Sequence, residues 1–149
     1  MNRLSQNELI GTVAIQSALE NSIGQSLSLA KVMLVLPLLF DKAVRSVLKR
    51  KNSVVLGSKD LLISNPAAFA TIRARYEDLT ITSLNTILLA QEMGLVTLTG
   101  NCVVLKNKIF LNKQDVGKNA LDILASGPKL GLILNEDVAD LYQTFRIEL

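Results

Sequence analysis

Apolar residues recur at Leu9, Ile10, Val13, Ala14, Ala18 and Leu19. That spacing predicts a helix over NELIGTVAIQSALENSIGQ, with Asn7 or Ser5 as its cap and Gly24 as its stop. A second helical stretch, capped by Ser26 or Ser28, runs through SLSLAKVMLVLPLLFDKAVRSVLKRKN. Pro37 lacks an amide hydrogen and its ring crowds the preceding turn, so a kink or break is predicted near Leu36. Beyond it Leu38, Leu39, Ala43, Val44, Val47 and Leu48 resume the helical period. Residues 54–56 read as a brief strand, and residues 60–64 as a helical turn. Asn65-Pro66 then opens a helix over 66–78, with Asn65 as cap and Pro66 in the first helical position.

After a turn at Leu79-Thr80 comes a helix over 81–93, capped by Thr80 or Thr82. Its buried stripe is Ile81, Leu84, Ile87, Leu88 and Met93, and Gly94 ends it. Alternation then takes over: LVTLT and CVVLK flank Gly100-Asn101, which suits a two-residue hairpin turn, and KIFLN is a candidate third strand. The tail reads as a helix over DVGKNALDILASG, a break at Gly127-Pro128, and a last helix capped by Asn135. Glu136 and Asp137 stand in its first turn, and Val138, Leu141, Tyr142 and Phe145 form its apolar face.

Helix, turn, helix and hairpin in this order describe a winged helix-turn-helix-like unit. The predicted fold is therefore mainly α (α+β): a helical domain with that unit and a small hairpin or meander. It reads as a single domain over 1–149, with a helical part at 7–51, a winged-helix-like part at 60–112 and C-terminal helices at 115–147.

Composition narrows the chemistry. Nearly half the 149 residues are apolar, and histidine is absent. Without histidine there is no Ser-His or Cys-His nucleophile pair and no imidazole base or ligand. The single cysteine, Cys102, falls in a strand-like run and is expected to be a small buried residue; this usage fits a reducing cytoplasm. The N-terminal MNRLSQNELIG lacks the apolar core of a secretory signal. VMLVLPLLF is too short to cross a bilayer, so no membrane partner is expected. The carboxylate pairs Glu77-Asp78 and Glu136-Asp137 sit at helix ends. No phosphate loop or metal-ligand spacing is present, so no catalytic, cofactor or metal residues are assigned and the chain reads as a non-enzyme.

Charge is local. Residues 1–59 carry a net +5 and residues 60–149 a net −2. The basic character centres on Arg45, Lys49, Arg50 and Lys51, which either dress a helix end or form a docking surface for an acidic partner or for DNA held by a larger complex. The helix that would read bases, 81–93, contains no Arg or Lys, so it supplies none of the phosphate contacts that dominate DNA affinity. The candidate partner interface is Arg45, Lys49, Arg50, Lys51, Tyr142 and Arg146, with the exposed side of the final helix; Lys106 and Lys108 are candidate wing contacts.

The segment KVMLVLPLLFDKAVRSVL resembles the middle component of bacterial three-component ABC systems. The matching positions are Leu36, Pro37, Leu38, Arg45 and Leu48. Further matches are Thr80, Gly94-Leu95, Lys129-Leu130-Gly131 and a final Tyr-x-x-Phe-x-Ile, so the likeness spans roughly 10–149. The chain departs from the family pattern where an Asn-Pro precedes an aromatic and where a His follows Leu-Pro-Leu. The resemblance implies a non-catalytic adaptor joining an SMC- or Rad50-like ABC ATPase to an effector, often a nuclease, in anti-phage or anti-plasmid defence of the Lamassu type. DNA would then be met only through the complex. The other readings are a stand-alone winged-helix transcription regulator and a winged-helix subunit of a housekeeping SMC complex.

Overall fold

The computed structural model describes residues 6–50, 56–111 and 117–148. Its centre is helix α1 (Gln6–Glu20), in which residues 11–19 are buried without interruption. A helix buried on all sides has neighbours on several. α8 (Lys118–Leu134) and α7 (Ile72–Glu92) both pack on it, as does the short α3 (Val35–Leu39). Being central, α1 must satisfy its polar side chains internally. Thr12 Oγ1 donates to the Leu9 carbonyl at 2.6 Å and Ser17 Oγ to the Ile123 carbonyl at 3.1 Å. The helix begins at Gln6, so Asn7 lies inside it rather than capping it, while Ser5 is outside the described residues. α1 ends at Glu20, before the predicted stop at Gly24, which instead takes φ 68° in the turn that leads out to the next strand.

The stretch around Pro37 is broken as its chemistry demands. α2 (Leu29–Val32) is capped by Ser28, whose hydroxyl accepts from the Lys31 amide. α3 restarts at Val35, which places Pro37 in the first turn, where its missing donor costs least. α4 (Lys42–Leu48) is capped by Asp41, whose carboxylate accepts from the Ala43 and Val44 amides. The 54–55 part of the predicted brief strand lies outside the described residues, and Leu56 is not in a strand. α5 (Ser58–Ser64) and α6 (Pro66–Phe69) follow. Asn65 does not cap α6 with its side chain; its amide donates backwards to the Leu61 carbonyl at the end of α5.

Two predicted breaks do not exist. The turn expected at Leu79-Thr80 is the middle of α7, which runs 21 residues. The Thr80 hydroxyl donates back to the Tyr76 carbonyl and that of Thr86 to Thr82, so neither Thr80 nor Thr82 caps a new helix. The buried side of α7 follows Ile72, Tyr76, Leu79, Ser83, Thr86, Ile87 and Ala90, a three-four spacing that never lapses. α8 likewise passes through Gly127-Pro128. An internal proline costs about 3 kcal/mol, whereas burying Ile123, Leu130, Ile133 and Leu134 contributes about 1.5–3 kcal/mol each, so packing prevails. The approach to α1 is close: a Cβ on Gly127 would overlap the Ser17 and Asn21 side chains, and one on Gly131 the Asn21 backbone carbonyl.

The hairpin is as predicted. β2 (Val96–Thr99) and β3 (Cys102–Leu105) pair antiparallel with Thr99 opposite Cys102, and Gly100 at φ 60° makes the two-residue turn. Gly94, at φ 79°, releases the chain from α7 into it. The third strand is not KIFLN but β1 (Ser26–Ser28), which pairs with β3 to give the order β1-β3-β2. The amides of Ile109 and Phe110 instead donate to Gln16 Oε1, both at 2.8 Å, while Gln16 Nε2 donates to the Phe110 carbonyl at 2.5 Å. A buried glutamine on α1 thus occupies the backbone groups a ladder would have used. Cys102 is half-buried, not fully so as expected.

The last helix, α9 (Val138–Thr144), is capped by Asp137, not Asn135; its carboxylate accepts from the Ala139 and Asp140 amides. Asn135 ends α8. Glu136 serves a different helix: its carboxylate accepts from the Ser58 amide at 2.7 Å and the Ser58 hydroxyl at 2.6 Å, closing the N-terminus of α5.

Candidate partner interface

The basic end of α4 is not a free cationic patch. Arg45 Nη1 donates to the Leu39 carbonyl at 2.8 Å, and its Nε is buried, so the guanidinium lies against the fold. Lys49 pairs with Asp122 of α8 at 3.1 Å. The Arg50 side chain is exposed, and its carbonyl accepts from the Lys129 ammonium. Lys51 lies outside the described residues. Arg45 and Lys49 therefore tie α4 to α3 and α8, a structural role that the spacing of the basic residues did not indicate.

Tyr142 is in the core rather than on a surface. It is 2 % exposed, donates to the Ala30 carbonyl at 2.6 Å and stacks edge-on against Tyr76 at 5.7 Å. Burial, with the Tyr76 hydroxyl 3.3 Å away, holds its phenol well above the ordinary value of 10.0. Phe145, one turn on, stacks on Phe69 of α6 with centroids 6.3 Å apart. These aromatic contacts fix α9 across the start of α7. Arg146, by contrast, is exposed.

Lys106 and Lys108 come after β3, at the base of the hairpin and not at its Gly100-Asn101 tip. The Lys106 amide donates to the Leu95 carbonyl, and the Lys108 ammonium pairs with Glu20 of α1 at 3.0 Å. The hairpin presents Thr97, Leu98 and Thr99 to solvent.

The feature that sequence reasoning assigned to the interior is on the outside. Ile81, Leu84 and Leu88 are 72 %, 44 % and 54 % exposed. They form one stripe on the outer face of α7, at the i, i+3, i+7 spacing that a partner helix or groove reads. The inner face carries Ser83 and Thr86, with Gly11 of α1 giving Thr86 its room. Ile87, from the same predicted stripe, is buried together with Ile72 and Ala90, so the helix is apolar on both faces. The signal was available: the stripe Ile72, Tyr76, Leu79 and Ser83 fixes the phase if the helix is read as continuous.

Several charged groups in the described regions serve as caps and ties. Asp41 and Asp137 cap α4 and α9, and Glu136 closes α5. Arg75 of α7 bridges to Asp41 at 2.5 Å and donates to the Pro37 carbonyl at 2.9 Å. Burial lowers the Arg75 pKa against the opposing pull of Asp41. Among the described residues, no group of three His, Cys, Asp or Glu side chains is placed to hold a metal ion, and no helix is long and apolar enough to cross a membrane.

A mostly helical chain with a small three-stranded antiparallel sheet, an exposed apolar helix face and charges committed to caps has the character of a subunit of an assembly. The chain belongs to the ABC-three component (ABC-3C) system Middle Component 3 family, whose model matches residues 3–149. It is accordingly a middle component of a multi-component ABC system and works with that system's other components. No curated protein and no solved structure matches it.

Proposed function

We propose that this chain is a non-catalytic adaptor that joins an SMC- or Rad50-like ABC ATPase to an effector of nuclease type in anti-phage defence, as in Lamassu-type systems. The observation that carries the adaptor reading is the outer face of α7, where Ile81, Leu84 and Leu88 stand in water. Side chains left roughly half to three-quarters exposed forgo about 1–2 kcal/mol each, which a helix of another component would recover on docking. The committed roles of Asp41, Asp122, Glu136 and Asp137 support a protein without a reaction centre. Membership of a three-component family supplies the need for partners.

The arrangement also supports a winged-helix origin: the hairpin and the helix before it are those the sequence suggested, while α1 and β1 take part in place of a separate helix over 66–78. α1 precedes β1, α7 leads into the β2–β3 hairpin, and the sheet order is β1-β3-β2, the order of a winged helix. α7 would then be the helix that in DNA readers enters the major groove. Its two cations are Arg73, paired with Glu77, and Arg75, held by Asp41 and the Pro37 carbonyl, and none follows from Ile81 to Glu92, so this helix is read as holding protein.

Co-expression of the tagged chain with the other genes of its system tests the proposal. Recovery of a long coiled-coil ATPase and a second protein, both lost on Ile81→Glu with Leu88→Glu, is the expected result. A chain that purifies alone as a dimer and shifts duplex DNA with a steep salt dependence would replace the adaptor reading with a stand-alone regulator.

A further inference from the structure

Beside α9 lies a groove that the α7 face does not explain. It consists of two hollows of about 380 and 310 Å³, which share Leu62, Thr144 and Arg146. One is bordered by Lys59, Ile63 and Asp140, the other by Phe69, Arg73 and Phe145. Leu62 and Ile63 supply the apolar part of the first, and Leu62 with the stacked rings of Phe69 and Phe145 that of the second. Cations stand around it: Lys59 on α5, Arg73 on α7 and Arg146 just past α9. Asp140 is the one acidic group lining these two hollows, and it borders only the first. Arg73 also reaches Glu77 at 3.5 Å, but that pair is exposed on both sides and is weak enough to exchange for another carboxylate.

Arg146 is the centre of the groove, because it lines both halves. Its backbone is at φ 60°, a left-handed conformation that favours glycine. The helix end imposes it: the Arg146 amide donates to the Gln143 carbonyl and the Ile147 amide to the Tyr142 carbonyl, while Ile147 is buried. A long cationic side chain thus occupies the position where a glycine would relieve strain, and it borders the hollows.

Resting on the adaptor reading, we propose that this groove binds an acidic–apolar peptide segment of another component of the system, an apolar side chain seated over Leu62 and Phe145 and a carboxylate held by Arg146 and Arg73. Guanidinium groups suit this role because they grip carboxylates with two parallel N–H donors. Hollows of a few hundred cubic ångströms match the size of ordinary ligand sites.

The test uses the purified full chain and fluorescein-labelled peptides of Asp, Glu, Leu and Phe, against equal lengths of Lys, Arg, Leu and Phe. Fluorescence anisotropy should show saturable binding of the acidic set only, weakening with salt and falling about tenfold in Arg146→Gly. That variant relaxes the backbone, so a loss of binding with unchanged or raised thermal stability separates a binding role from damage to the fold. Leu62→Glu should abolish binding from the opposite wall. Equal binding of both peptide sets, or acidic binding indifferent to Arg146→Gly, overturns the groove. If the chain still retains its partners on co-purification in that case, the groove has failed and the adaptor reading stands.

Discussion

Replacing Gly131 by alanine places a methyl group against a wall that cannot turn aside. The nearest atoms to a Cβ there are the carbonyl oxygen and carbon of Asn21, at the end of α1, and both are backbone. No rotamer change relieves the overlap, so α1 and α8 must separate. A gap of about 1 Å forfeits a quarter to a half of each contact of about 0.15 kcal/mol, and over roughly 50 atom pairs along the seam this amounts to about 2–4 kcal/mol. Against it stands the helix propensity of alanine over glycine, about 1 kcal/mol. The expected net loss is about 1–3 kcal/mol, within the usual range for overpacking. Gly127→Ala should cost less, because its two nearest neighbours are the Ser17 and Asn21 side chains. Urea denaturation followed by circular dichroism reads this as a lower midpoint at unchanged slope. A Gly131→Ala protein as stable as the parent would mean that the two helices are not in the contact described.

Further outcomes follow from single groups. Ser83→Ala deletes a buried hydroxyl that has no hydrogen-bond partner, and should raise stability by about 1 kcal/mol in thermal unfolding; a fall would point to a partner for that hydroxyl. Tyr142→Phe leaves the Ala30 carbonyl without its donor and should cost about 1–2 kcal/mol at neutral pH. Because the folded phenol is held above its ordinary 10.0, the stabilisation is complete below that value and drains away as pH rises beyond it. Denaturation midpoints above pH ~10 should therefore fall more steeply for the parent than for Tyr142→Phe, and parallel curves would refute the assignment. Arg146→Gly should be stabilised by about 0.5–1 kcal/mol, the strain relieved exceeding the entropy glycine adds to the unfolded chain, and a destabilised variant would deny the strain.

Much of the fold was legible because local chemistry and packing agree. Gly94 and Gly100 take the positive φ expected of them, Ser28 caps α2, and Pro37 coincides with the restart of α3. What escaped the sequence was set by contacts between distant segments. Gln16, more than ninety positions away along the chain, takes the amides of Ile109 and Phe110 and so denies KIFLN a strand partner. Ser26–Ser28 becomes a strand because β3 lies beside it, although three residues carry too little alternation to announce themselves. Pro128 survives inside α8 because its neighbours are buried against α1.

The candidate interface was harder still, because charge marks a surface only where it is unclaimed. Arg45 and Lys49 are engaged by Leu39 and Asp122, and Tyr142 is engaged by Ala30. Of the five candidate interface residues that the structure describes, Arg146 is the exposed one that lines both hollows of the groove. The α7 face was misread because Ile81, Leu84 and Leu88 were taken for core on their hydrophobicity. The continuity of the helix through Leu79 and Thr80 decides its phase and turns them outward.

The most direct measurement of the central claim is therefore made on that face. Ile81 and Leu88 are both more than half exposed, so Ile81→Glu with Leu88→Glu should leave the unfolding midpoint of the isolated chain within about 0.5 kcal/mol of the parent. In the reconstituted system, size-exclusion chromatography with light scattering should show the parent migrating with its partners and the double variant running free. A double variant that folds and still co-migrates with the complete assembly would contradict the claim that α7 holds the other components.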